Sequence, residues 1–280
     1  FAKPHFQTVV FGKTGCRRST PGNYIASDPK GRAVLVSAVE KRKLVYVLNH
    51  SSGSTTIASP LEAHRARTIT FATVGVDNGY DNPIFATLEQ QYQEDDDYDA
   101  EDSQKQLAYY ELDLGLNHVS RKWAVPTLPT ACCLASLPGG GDGPSGVLVG
   151  SEDYVSYYHP SQEKPIHCVV PRRKWEQTRG ILVTQLVVHR QKKGKFFCLG
   201  QTELGDVYKI SMDLQEGASG VVVLGIHVAL LDTLPPANAL NISKKGLLFC
   251  ASEFGDHKLY QFERIDLPKA TQNNSSQLED

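Results

Sequence analysis

Gly141-x-Gly143-x-x-Gly146 is the stretch whose spacing comes closest to a known chemistry. By letter it matches the glycine pattern that cradles a dinucleotide pyrophosphate. That chemistry needs a strand before the glycines and a helix after them, so that phosphate meets a helix N-terminus. Here the glycines open onto Val147 and Leu148, an apolar run that reads as a strand, so no nucleotide site is expected. Gly12-Lys13-Thr14 resembles the end of a phosphate loop, but the earlier glycine would fall at position 7, which is Gln7. The nine histidines form no HxH or HExxH pair, and no GxSxG elbow is present. The acidic run Glu94 to Asp102 has no glycine at its sixth position and no glutamate at its twelfth in register. It is therefore a poor calcium loop, and reads as a solvated loop or a contact for a basic partner. The six cysteines include no CxxC; they read as reduced thiols, with Cys198 and Cys250 as small core hydrophobes at the same repeat position. No catalytic residue, cofactor site or metal site is expected.

Charged side chains remain. Carboxylates at turn positions, such as Asp206 and Asp256, are expected to bond backbone within hairpin turns. Basic clusters at Arg17-Arg18, Lys41-Arg42-Lys43, Arg172-Arg173-Lys174 and Lys192 to Lys195 each flank a strand and read as solvated loop charge. Their functional reading is protein contact. Arg17, Arg18, Arg172, Arg173, Lys174 and Trp175 are the candidate partner-binding residues. Trp175 and Tyr24 interleave with basic residues, but not as a stacking platform for nucleic acid.

The elements that position these loops follow from a repeat. Lys245 to Phe262 reads as two short strands around a tight turn, with Gly255 supplying the positive φ. Lys258, Tyr260 and Phe262 face one way, and Leu259 and Gln261 the other. Related phrases run from Gly194 to Ser211, with Gly205 in the turn, from Ser145 to His159, and from Gly31 to Asn49. Another starts at Asn82 and is split by the acidic insertion. The glutamates Glu40, Glu89, Glu152, Glu203 and Glu253 mark the register. Their spacing is about 50 residues, stretched to about 63 where the insertion of roughly fourteen residues falls, and such a period signals a repeat fold.

Between hairpins there is room for two more strands. Inner strands are expected within Ala66 to Asp77, Thr130 to Leu137, Gly180 to His189 and Ala237 to Ser243. Outer strands are expected within Thr55 to Ala63, His118 to Val125, Pro165 to Pro171 and Gly220 to Leu231. Four strands per period, with no helical periodicity, specify an all-β fold, a β-propeller of four-stranded blades. Five hairpins give about five blades of an incomplete, seven-bladed ring. Pro138 to Gly146 reads as a flexible connector. Residues 1–267 are read as part of a propeller in a longer chain, and 268–280 as a polar, mobile tail. The chain begins with Phe, consistent with a fragment or processed form.

The bulk numbers agree with a core-forming domain. The chain has 280 residues, 40% hydrophobic and 21% charged, with a formal net charge of −2. Roughly three quarters of the unfolded surface can be buried at this length without disulfides. A charge so near zero gives no global attraction to nucleic acid or membrane.

Long strings in this sequence resemble the splicing factor 3b subunit 3 family, the 130 kDa spliceosome-associated proteins. They are Phe11 to Asn49, Ser51 to His64, Tyr109 to Lys122, Gly139 to Tyr158 and Ala251 to Gln261. Glu94 to Asp102 and Pro126 to Leu137 depart from the family's pattern. The resemblance implies a three-propeller scaffold of the U2 small nuclear ribonucleoprotein, of which this chain is most of the first propeller. It implies a nuclear, non-catalytic role in pre-mRNA splicing, without a cofactor. The implied partners are the HEAT-repeat subunit and the very small subunit of the 3b complex, with other U2 proteins; RNA contact is at most indirect, and no membrane is involved. The other reading is a propeller adaptor of a cullin-type ubiquitin ligase or a polyadenylation complex.

Overall fold

The computed structural model describes residues 18–51, 54–92, 104–173, 179–191, 194–217, 220–243 and 245–262. Within them the chain folds into five antiparallel sheets, each built from strands consecutive in sequence. The first holds β1 (Tyr24–Ser27), β2 (Ala33–Ser37), β3 (Lys43–Ser51), β4 (Ser54–Ile57) and β5 (Leu61–Glu62). The second holds β6 (Thr68–Val76), β7 (Ile84–Gln91), β8 (Lys105–Asp113) and β9 (His118–Pro126). In the third lie β10 (Cys133–Ser136), β11 (Val147–Gly150), β12 (Tyr154–Tyr158) and β13 (Ile166–Val169). The fourth contains β14 (Val183–Arg190), β15 (Phe196–Thr202), β16 (Asp206–Gly217) and β17 (Gly220–Thr233). β18 (Ala239–Ile242), β19 (Leu247–Ala251) and β20 (Lys258–Gln261) form the fifth, with three strands among the described residues. The first strands of successive sheets are neighbours, β1 beside β6, β6 beside β10, β10 beside β14 and β14 beside β18. This is the blade arrangement of a β-propeller, as the period implies.

Alternation along each strand divides the core between two seams. On β11, Leu148 faces the fourth blade with Tyr157, Cys198, Tyr208 and Ile210. Its neighbours Val147 and Val149 face the second blade with Leu88, Leu107 and Tyr109. The first two blades meet through Leu35, Val45, Phe85, Tyr110 and Leu112. The last two meet through Phe197, Leu199, Val207 and Leu248, with Tyr260 and Phe262 packed against them. A middle strand is thus apolar on both faces, which explains the dense runs. Each such side chain contributes about 1.5–3 kcal/mol on burial.

Several elements differ from the sequence reading. β1 was not anticipated; its four residues, YIAS, are too short to carry a pattern. The expected outer strand of the first blade is two pieces. β4 pairs with the far end of β3 and β5 with its start, with Pro60, which has no N–H to donate, between them. The β16–β17 hairpin runs beyond Ser211 to Gly217. Gly205 has φ +88, as the turn requires, and a Cβ there would lie 2.1 Å from the Leu234 carbonyl oxygen. Gly255 does not adopt positive φ. Its turn is organised by Ser252 instead, whose Oγ accepts from the Phe254 N–H at 3.1 Å and donates to the Pro236 carbonyl at 2.8 Å. Pro138 to Gly146 is not a loose connector. Ser145 Oγ donates to the Asp77 carbonyl at 2.6 Å, and a Cβ on Gly139 would lie 1.9 Å from that same oxygen.

Candidate functional site

The first residue of the third strand recurs as a seam contact. On β3 it is Lys43, on β8 Lys105 and on β16 Asp206. Lys43 was read as solvated loop charge; the structure corrects this, because its side chain is fully buried. Strand pairing of Lys43 with Ser37 draws it inward, against the second blade. There its Nζ lies 3.2 Å from Glu89 Oε2. Glu89 also pairs with Arg121 at 3.1 Å and accepts from Tyr110 Oη at 3.0 Å and Thr87 Oγ1 at 3.2 Å. Burial pulls the Lys43 pKa down, with Glu89 opposing it. Burial and the Glu89 carboxylate push the Tyr110 phenol well up. The cluster joins two blades, and the hydrogen bonds on Glu89 are what such a buried charge requires.

Asp206 was expected to bond backbone in its turn. It instead binds the guanidinium of Arg173 in a two-pronged contact, with Nε at 2.6 Å, and accepts from Thr233 Oγ1 at 2.7 Å. Burial pushes the Asp206 carboxyl up, but Arg173 and Thr233 outweigh it and hold the pKa below the ordinary value. Arg173 follows β13 in the third blade, so this pair crosses to the fourth.

The other candidate contacts fall as follows. Arg172 pairs with Asp153, whose other oxygen accepts from the Ile181 N–H at 2.9 Å. Arg18 pairs with Glu40 but stays 63% exposed, and a pair of that kind contributes at most about 1 kcal/mol. Arg17, Lys174 and Trp175 lie outside the described residues, as does the acidic run Glu94 to Asp102. The structure does not bring Arg18 together with Arg172 and Arg173; they belong to the first and third blades. Lys41 and Arg42 line a cleft of about 560 Å³ with Leu44, Tyr46 and His64.

Two further ion pairs escaped the sequence reading. Arg32 grips Asp28 within its own blade at 2.8 Å and donates to the carbonyls of Tyr80 and Asp81 on the next. Arg190 reaches the buried Asp77 at 2.6 Å. Asp28 and Asp77 each follow the first strand of a blade, and that shared position was the signal available. Gly146 leads into β11, so the glycine motif precedes a strand. Among the described residues no group of His, Cys, Asp or Glu is placed to hold a metal, and no helix is long and apolar enough to cross a membrane. The arrangement offers charged seams between blades and exposed charge at loop ends.

Comparison with known proteins agrees with this architecture. Residues 3–279 match the family model described as RSE1/DDB1/CPSF1 first beta-propeller. Spliceosome-associated protein 130 A of Arabidopsis thaliana is 49% identical over 99% of this chain and 23% of its own length. Splicing factor 3B subunit 3 of Drosophila melanogaster is 48% identical over 94% of this chain and 22% of its own. Pre-mRNA-splicing factor rse1 of Emericella nidulans is 46% identical over 98% of this chain and 23% of its own. The chain thus spans about a quarter of the length of these relatives. It belongs to the RSE1/DDB1/CPSF1 first beta-propeller family.

Proposed function

We propose that this chain is the first propeller of a non-catalytic scaffold in the splicing factor 3b complex of the U2 small nuclear ribonucleoprotein. In that role it supports branch-site recognition and spliceosome assembly in the nucleus. The observation that carries the reading is the identity of 46–49% over nearly the whole chain to proteins named for splicing. The charged blade seams support it, because they fix a rigid body on which loops can be presented. The partners are the HEAT-repeat subunit and the very small subunit of that complex. Arg18, Arg172 and Arg173 are the contact candidates, beside the first and third blades. A cullin-type ligase adaptor or a polyadenylation subunit would share the fold, but the relatives at this identity carry splicing names.

The test is affinity purification of the full-length tagged protein from nuclear extract, followed by mass spectrometry. Recovery of a HEAT-repeat subunit with other U2 proteins is expected. Recovery of a cullin or of polyadenylation factors in their place would overturn the role and leave the fold standing.

A further inference from the structure

Lys41 and Arg42 are exposed, and among the described residues neither side chain meets a carboxylate. The nearby acids are already engaged. Glu40 takes Arg18 and the Tyr92 hydroxyl, Glu89 takes Lys43 and Arg121, and Glu62 lies 3.4 Å from His64 Nδ1. The cleft of about 560 Å³ beside Lys41 and Arg42 therefore carries surplus positive charge on its rim. Its floor is apolar: Pro21 and Tyr46 are buried, and Leu44 is half-buried. His64, on the wall, registers that charge. Burial lowers its pKa, Glu62 opposes this, and Arg42, Lys41 and Lys43 add to the lowering. Lys41 is also held in place. Its backbone is left-handed, at φ 63°, a conformation that few residues besides glycine and asparagine adopt. Its N–H donates to the Thr68 carbonyl at 2.9 Å, and its carbonyl accepts from the Arg65 N–H at 3.1 Å. The turn is thus fixed in advance and loses little freedom when a ligand binds.

We propose that this cleft docks an acidic segment of a partner protein, in which one aromatic or large aliphatic side chain lies between carboxylates. The carboxylates meet Lys41 and Arg42, and the apolar side chain covers Leu44 and Tyr46. Exposed charges of this kind set the association rate and the register more than the affinity, so the apolar contact supplies the hold. Two features favour a peptide over a nucleic acid. The floor suits an apolar side chain, and the exposed Glu62 carboxylate repels an unbroken run of phosphates. Every lining side chain belongs to the first blade or its flanks, whereas the chain's own acidic run follows Tyr92 of the second. That placement favours a partner's segment over Glu94 to Asp102. The site is additional to the three arginines named above, and it is argued from this chain alone, whichever assembly the chain joins.

The test uses a fluorescein-labelled peptide with one phenylalanine between three aspartates on each side, titrated by fluorescence anisotropy against the folded full-length protein. Saturable binding is expected. Lys41→Asn combined with Arg42→Gln should weaken it about five-fold or more, through two lost ion pairs. Asparagine tolerates the left-handed backbone and both positions are exposed, so this variant should melt with the parent. A peptide with serine in place of phenylalanine should bind about ten-fold more weakly. The difference between parent and variant should shrink as salt is raised. No saturable binding, or equal binding by parent and variant, overturns the proposal. So does tighter binding of an oligouridylate of equal charge. Peptide binding that appears only after amides replace the carboxylates of Glu94 to Asp102 assigns the cleft to the chain's own segment, and overturns the proposal too.

Discussion

Lys43 and Glu89 are not equivalent partners, and their substitutions should differ in a predictable order. Glu89→Gln removes the carboxylate that, among the described residues, pairs with both the fully buried Lys43 and the partly buried Arg121. Stranding a buried charge costs about 3–5 kcal/mol. Lys43→Met keeps an apolar stem of similar length and removes the buried cation, while Glu89 retains Arg121, Tyr110 and Thr87. Its cost should be nearer about 1–2 kcal/mol, because an apolar side chain of similar shape in place of a buried cation can be close to neutral when the carboxylate keeps its other partners. The double variant carries no stranded ammonium, so it should be more stable than Glu89→Gln alone, with coupling above about 1 kcal/mol. At roughly 2–4 °C per kcal/mol, Glu89→Gln lowers the melting temperature by about 6–20 °C. Alkali adds a second readout. Burial already lowers the Lys43 pKa in the folded state, and Glu89→Gln removes what opposes it. The unfolded chain then holds more protons than the folded one as pH rises toward 10, so the variant should regain stability there. Thermal melts of the parent, both single variants and the double variant, at neutral pH and near pH 9.5, provide the measurement. Additive single variants, or a larger loss from Lys43→Met than from Glu89→Gln, would refute the assignment of Glu89 as the hub.

The remaining predictions concern turns, acid and packing. Gly205→Val should destabilise by at least about 2 kcal/mol, because it combines positive φ with a backbone clash. Gly255→Val should stay within about 0.5 kcal/mol of the parent, since φ is ordinary and the space is open; equal losses in urea melts would contradict the turn geometry. The folded Asp206 pKa is depressed, so its contribution is present above the unfolded carboxyl value of about 3.9 and lost as pH falls below it. Arg173→Ala should therefore flatten the acid limb of a stability–pH profile, and an unchanged limb would remove Asp206 from that role. Burial lowers the pKa values of His64, His159 and His189. Protons then bind the unfolded chain first, so stability should decline as pH falls below about 6.5. Leu148→Ala should cost about 2–5 kcal/mol, the usual range for a buried leucine, measured by chemical denaturation.

Most of the fold was legible because the blade repeat writes itself into spacing. Apolar runs such as Gly246 to Ser252 and Gly194 to Thr202 recur at a fixed interval, and strands with their seams follow from it. What stayed hidden depends on pairs far apart in sequence. Lys43 sits in a basic triplet that looks solvated, and only the partner 46 positions on, Glu89, makes it a buried ion pair. Asp206 looks like a turn residue until Arg173 is placed opposite it across a seam. The glutamate register was the nearest available signal. Glu89 is a hub, and Glu40 and Glu152 bridge by backbone to Ile69 and Leu182 of the following blade. Local patterns reported the blades; the chemistry between blades needed their assembly.

The position of these charges also bears on rigidity. Apolar contacts such as those of Leu88 and Val149 are non-directional, and their register is set by interdigitation alone. Charged hydrogen bonds do not slide: Lys43 at one seam and Asp206 at another each meet partners at one geometry only. Both occupy the first residue of the third strand, where the chain leaves a hairpin turn and a long side chain can reach across. Directional contacts at that position help to set the angle between the first and second blades and between the third and fourth.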